Sequence, residues 1–137
     1  MSELQAEFTF QNFQILRSKI FYQDGGNYQN GKFDILPAGK YHSHSKLYDL
    51  TLHLMVTDDM DQVFIDVIGK ATFRFDQEFE EIPGYFTLNA PAIAYPYLRS
   101  YISSLTALSG SDTIYLPIMN LVSLREDLEK SFERVDD

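Results

Sequence analysis

The residue types that could do chemistry are few: three histidines, two short acidic runs and no cysteine. His42 and His44 are two apart in an extended-looking stretch and so share a face. A zinc site needs three or four ligands, and no further donor lies nearby in sequence. His53 sits among polar neighbours of a strand and reads as an exposed sheet residue. The run "DDMD" (58–61) lacks the alternating oxygens and distal glutamate of a calcium loop and reads as a turn. "EFEE" (78–81) reads as a solvated rim. No serine stands in a nucleophile-elbow setting, and the glycine pairs do not build a phosphate loop. Without cysteine, disulfides, thiolate catalysis and thiolate-bound zinc are excluded. No acid–base pair can be argued from spacing, so the expectation is a protein that is not an enzyme and holds no metal and no cofactor. An enzyme or ligand-binding domain would instead have to gather one deep polar pocket from distant segments.

The elements available to position any site are those of one domain spanning 1–137. The chain is 45% hydrophobic and 15% aromatic, enough to bury a core, and too apolar for a disordered type. Its net charge of −9 repels polyphosphate, and no basic patch offsets it, so nucleic acid is not an expected partner. Solubility alone, or attraction of basic partners, would each account for the charge. "MSELQAEFTF" has neither a basic n-region nor an apolar h-region, and no window supports membrane insertion, so a soluble cytoplasmic protein is expected.

Alternation sets the first half. Phe8, Phe10, Phe13 and Ile15 predict a long first strand to about Tyr22, kinked near Asn12. The turn-rich "QDGGNYQNG" follows, then a short strand "KFDIL" ending at Pro37 and Gly39. "KLYDLTLHLMVT" and "QVFIDVIGKATFRF" alternate strictly, and the tight link between them makes them antiparallel neighbours. "DQEFEEIPGYFTLN" reads as a loop. Asn89 then predicts an N-cap and Pro91 an early helical residue, with regular helix from Pro96 to a stop at Gly110. "SDTIYLPIM" reads as extended, and Asn120 caps a last helix over "LVSLREDLEKSFERV", with Leu121, Leu124 and Leu128 on one face. Both faces of the strand pair carry apolar residues. That surplus fits either an interface or a well-packed α+β core, and composition favours neither.

The run Pro91, Ile93, Tyr95, Pro96, Tyr97, Arg99, the glycine at Gly110 and the "LPIMNL" turn at 116–121 resemble the SecB family of protein-export chaperones. The strand order of the amino-terminal half agrees, with Lys32–Ile35 matching a lysine–apolar–aspartate–apolar strand. The resemblance implies an α+β fold: a four-stranded antiparallel β-sheet with two C-terminal α-helices packed on one face, SecB-like. It implies a homotetramer, a dimer of dimers, that holds unfolded client polypeptides in apolar grooves without ATP. Carried over by position, Tyr28, Phe33 and Ile35 match the groove on the strand side, and Leu121, Leu124 and Leu128 match it on the helix side. Leu98, Tyr101, Ile102 and Leu105, with the first strand from Ile15 to Ile20, are expected at subunit interfaces.

Asp66 stands where the family docks the export motor ATPase. Lys19 and Gln23 stand where further acids are expected, and Arg125 and Glu126 replace apolar residues of the last helix. Relatives of the family serve as chaperones for antitoxins. Two readings follow: a holdase for unfolded precursors of export, or a dedicated chaperone for one partner such as an antitoxin.

Overall fold

The computed structural model describes residues 8–23, 31–110, 112–118 and 120–137. Four long strands come first: β1 (Phe8–Tyr22), β2 (Lys32–His42), β3 (Leu47–Thr57) and β4 (Val63–Phe75). A long helix α1 (Gly84–Leu108), a short helix α2 (Ser123–Lys130) and a three-residue strand β5 (Glu133–Val135) complete the chain. The sheet order is β1-β4-β3-β2-β5. The first four strands pair antiparallel, and β5 joins β2 in parallel at Lys40–His42.

The sheet is therefore five-stranded and mixed rather than four-stranded and antiparallel. The cause lies in the last residues. The charged run after α2 leaves the helix at Lys130, and Phe132 turns inward to stack on Tyr48, 6.2 Å between rings. Arg134 then donates to the carbonyls of Phe79 and Glu80 at 2.8 and 3.0 Å. Its guanidinium also lies over the Tyr41 ring, a cation–π contact that adds to the hold. The Asp137 carboxylate accepts from Ser45 Oγ and the His44 amide, which holds its pKa down to about 2 although burial opposes the shift.

Strand period decides what is buried. Tyr48, Leu50, Leu52, Leu54 and Val56 of β3 are fully buried and alternate with half-buried Asp49, Thr51, His53 and Met55. In β4, Val63, Ile65, Val67, Ala71, Phe73 and Phe75 face the same way. The kink predicted near Asn12 is a register shift between Phe10 and Asn12, with a second between Ile15 and Arg17.

Strand β2 is longer than the sequence implies, running through Pro37 and Gly39 to His42. Proline is tolerated because this stretch has no outer strand neighbour among the described residues, and Ser131 Oγ donates to the Pro37 carbonyl there at 3.1 Å. Gly39 is required by close approach, since a Cβ there would overlap the Tyr48 hydroxyl and touch Leu128.

Helix α1 begins at Gly84, well before Asn89 and Pro96, and carries Pro91 and Pro96 inside it. Each proline forfeits one helical hydrogen bond. Packing outweighs that loss: Phe86, Ala90, Ala94, Leu98 and Ile102, spaced by fours, are all fully buried against the inner sheet face. Asn89 is not a cap; its side-chain amide donates to the Tyr85 carbonyl within the helix. Gly110, at φ +85°, follows the helix end as the sequence predicts. Asn120 does not cap the other helix either: α2 starts at Ser123 with Val122 in the cap position, and the Asn120 side chain accepts from the Val122 amide at 3.0 Å in the turn before it. The aromatic centre of the core lies under the start of α1, where Phe86 packs within 5.2 Å of the rings of Phe8, Tyr48, Phe73 and Phe75. Among the described residues, no helix is long and apolar enough to cross a membrane.

Candidate functional site

The segment joining the two helices exposes three large apolar side chains, Tyr115, Ile118 and Val122. Its alternation is fixed from α1. Tyr95 donates its hydroxyl to the Pro117 carbonyl at 2.7 Å, Arg99 Nε donates to the Leu116 carbonyl at 3.1 Å, and the Ile114 amide donates to Thr106 Oγ1 at 2.8 Å. Ile114 and Leu116 are thereby tucked into the core, and Tyr115 and Ile118 are turned outward, 76% and 85% exposed. Burial raises the Tyr95 pKa against the pull of the Arg99 charge, so the phenol stays a donor. The sequence singled out Tyr95 and Arg99 as family markers but not as the clamps of this connector.

Beside the connector, a shallow depression of about 340 Å³ opens between α1 and the entry to α2. Leu88 and Ala92 line one side, Leu121 and the exposed Val122 the other. On the far side of α2, the β2 edge from Lys32 to Gly39 has no strand neighbour among the described residues. An unpaired edge offers backbone donors and acceptors to an extended chain.

The residues expected to line a groove lie together, but mostly inside. Ile35, Leu121, Leu124 and Leu128 are buried in the chain's own core cluster, and Phe33 is half-buried against it. The seam between β2 and α2 is thus closed in this chain. Tyr28 lies outside the described residues.

The expected interface residues divide similarly. Leu98 and Ile102 are fully buried within this one chain, where they close its core. Tyr101 and Leu105 are half-buried, as are Ile15 and Ile20 on the helix-facing side of β1. Tyr101 donates to Ser18 Oγ at 2.7 Å and so ties α1 to β1. The outer edge of β1 is unpaired among the described residues.

Asp66 sits on the face of the sheet opposite α1 and α2. Arg17 contacts both its carboxylate oxygens, at 3.0 and 3.2 Å, and His53 Nε2 lies 3.0 Å away. Burial alone would raise its pKa; the hydrogen bonds and charges of Arg17 and His53 outweigh that and hold it below the usual carboxylate range. Lys19 is its cross-strand neighbour on β1, while the Gln23 amide donates to the Gln62 carbonyl. The sequence placed Arg17 and Asp66 far apart, and only β1–β4 pairing brings them together. His42 lies 3.2 Å from Asp49, and among the described residues no three histidine or acidic side chains gather as a metal site.

The sequence matches no known protein-family model and no curated protein. Comparison of the fold is more informative. The SecB-like chaperone Rv1957 of Mycobacterium tuberculosis, solved with a ChAD peptide from the HigA1 antitoxin (Rv1956), superposes with a TM-score of 0.69. The match is 16% identical and covers 82% of this chain and 87% of that one. This chain therefore shares the α+β fold of that SecB-like chaperone. A protein of unknown function from Streptococcus agalactiae aligns more loosely, at a TM-score of 0.48 and 12% identity, over 84% of this chain and all of that one.

Proposed function

We propose that this chain is a SecB-like chaperone that holds extended polypeptide without ATP, and that its range is narrow, with one dedicated partner such as an antitoxin. The observation that carries the reading is the exposed apolar connector, Tyr115, Ile118 and Val122, held beside the α1–α2 depression by Tyr95 and Arg99. A holder of extended chain needs apolar contact on a prepared surface together with backbone partners, and the open β2 edge supplies the latter. The fold likeness to a chaperone solved with an antitoxin peptide supports the same direction.

The reading needs no catalytic group. It favours a dedicated partner over delivery to an export motor because the Asp66 carboxylate is already engaged by Arg17 and His53. Assembly would use the free β1 edge with Tyr101 and Leu105 beside it, in dimers that associate again into a tetramer. The expected cellular setting is the cytoplasm.

Static light scattering of an unfolding client tests the function. The protein is expected to suppress aggregation of its cognate antitoxin at equimolar subunits and a generic unfolded enzyme only in large excess. Replacing Ile118 and Val122 by aspartate should abolish suppression while far-ultraviolet circular dichroism is unchanged. Equal protection of both clients would sink the dedicated reading, and protection of neither would sink chaperone function. The mass measured in the same instrument reports assembly; a monomer at micromolar concentration contradicts the tetramer.

A further inference from the structure

The face of the sheet opposite the helices carries a charge that the chain as a whole does not. Strand period and register place Arg17, Lys19, Lys32, Lys40, Lys70 and Arg74 there, six of the chain's eleven lysines and arginines. The acids on this face are Asp34, Asp49, Asp66 and, on β5, Glu133. Six cations against four carboxylates leave the described face at +2, in a chain whose net charge is −9. No run of the sequence shows this, because the cations are dispersed over 17–74 and only sheet pairing gathers them.

Pairing within the face sharpens the contrast. Asp66 is closed by Arg17 and His53, and Asp49 accepts from Thr72 Oγ1 at 3.0 Å and lies 3.2 Å from His42. Lys19, Lys32, Lys40, Lys70 and Arg74 form no ion pair among the described residues. Asp34 and Glu133 are the acids left without one. A second feature of the same face is apolar. Phe21 pairs with Phe64, and Ile68 lies between Arg17 and His53, with Leu36 beyond His53. Phe21, Leu36 and Phe64 are 59%, 53% and 39% exposed. Lys19 and Lys32 border these side chains, and Lys40, Lys70 and Arg74 lie further along the strands. Four strands at about 4.8 Å, over the ten steps from Phe64 to Arg74 at about 3.4 Å, give roughly 650 Å² of open surface. That approaches the ~800 Å² that each partner gives to a standard interface.

We propose that this face docks an acidic segment of another protein, in which carboxylates are interspersed with apolar side chains. The lysines meet the carboxylates one by one, and Phe21, Leu36 and Phe64 meet the apolar side chains. The sign is opposite to that expected at Asp66 from the family resemblance. A continuous polyphosphate fits less well: Asp34 and Glu133 stand among the cations, and the chain's charge of −9 repels it at range. Docking here is separate from polypeptide holding, because Ile118 and Val122 lie with the helices on the other side of the sheet.

Fluorescence anisotropy tests this, with end-blocked, labelled peptides of about 12 residues that intersperse glutamate with leucine. The comparison peptide carries glutamine for every glutamate. The glutamate peptide is expected to bind about tenfold tighter at low salt, as a few exposed ion pairs give together. That advantage should vanish near 1 M salt, where the screening length is about 3 Å. Lys19→Glu/Lys70→Glu should turn the preference towards glutamine, and the milder Lys19→Gln/Lys70→Gln should bring the ratio to about one. Ile118→Asp/Val122→Asp should leave the ratio unchanged. Equal binding of the two peptides by the native protein overturns the proposal. So does a ratio that survives both lysine variants, or one that is lost with the connector variant, which would make the acidic peptide an ordinary client. Labelled oligouridylate bound more tightly than the glutamate peptide, and released by the lysine variants, would assign the face to nucleic acid instead. A mass of the protein alone that falls on Lys19→Glu/Lys70→Glu would assign it to a second copy of this chain.

Discussion

The two faces of the sheet are built from the same strands by alternate residues, and they have opposite characters. On the inner face, Tyr48, Leu50, Leu52, Leu54, Ile65, Val67 and Phe73 are completely buried beneath α1 and α2. On the outer face no helix lies among the described residues, and Arg17, Asp66 and His53 form a polar network between apolar neighbours such as Phe21, Phe64 and Leu36. Inside, tight packing of rings and methyl groups carries the stability, so loss of volume is costly. Outside, solvent screens each interaction and the ion pairs contribute little. The inner face holds the protein together, while partners can reach only what lies outside it: the connector, the strand edges and the outer face.

Three substitutions test that contrast, in decreasing order of effect. Phe86→Ala removes the ring that packs against Phe8, Tyr48, Phe73 and Phe75. Urea unfolding should show a loss of about 3–5 kcal/mol, the range for large core truncations. A loss below about 1 kcal/mol, the level of a surface change, would mean that α1 does not close the core. Gly39→Ala should cost about 1–3 kcal/mol as an overpacking change. Part of that loss should return in Gly39→Ala/Tyr48→Phe, because the overlapping atom is the Tyr48 hydroxyl; an unrelieved loss would place the cost in the β2 backbone instead.

Arg17→Ala, on the outer face, should cost less than about 1 kcal/mol near neutral pH. Its signature is in the acid range. The folded Asp66 pKa lies below the unfolded value, near 3.9, so its contribution is present above that value and is lost as pH falls through the folded one. The difference between native and Arg17→Ala stability should therefore shrink as unfolding curves are taken from pH 6 toward pH 2. A difference constant across that range would show that Arg17 acts by packing and not by charge.

Much of the inner face was legible. Strict alternation in 47–57 and 63–75 fixed both strands and which residues share a face, but not which face is buried, because Leu47, Met55, Phe64 and Ile68 make the second face apolar as well. The kink in β1 and the glycine stop of α1 were legible for similarly local reasons. The start of α1 was not: two prolines argue against helix locally, and only contact of Phe86, Ala90 and Ala94 with the sheet overrides them. Strand β5 was hidden in a charged run of helical appearance, since three residues carry no period and their pairing depends on Arg134 and Asp137 meeting distant partners. Of the candidate site, the apolar residues of 115–122 were visible as a segment. Which of them face outward was not, because Tyr95, Arg99 and Thr106 decide it from another helix.

The sequence by itself determined the α+β class, the faces of the strands, the acidic surface and the likeness to a SecB-like fold. These follow from residue type and short-range period, which act within a few positions along the chain. The tertiary structure decided that Leu98, Ile102, Leu124 and Leu128 belong to the core, that Asp66 is paired with Arg17, and that the Tyr48 hydroxyl packs unpartnered against Gly39 and Leu128. Each of those outcomes joins residues from separate elements, and burial and pairing are properties of such neighbours in space.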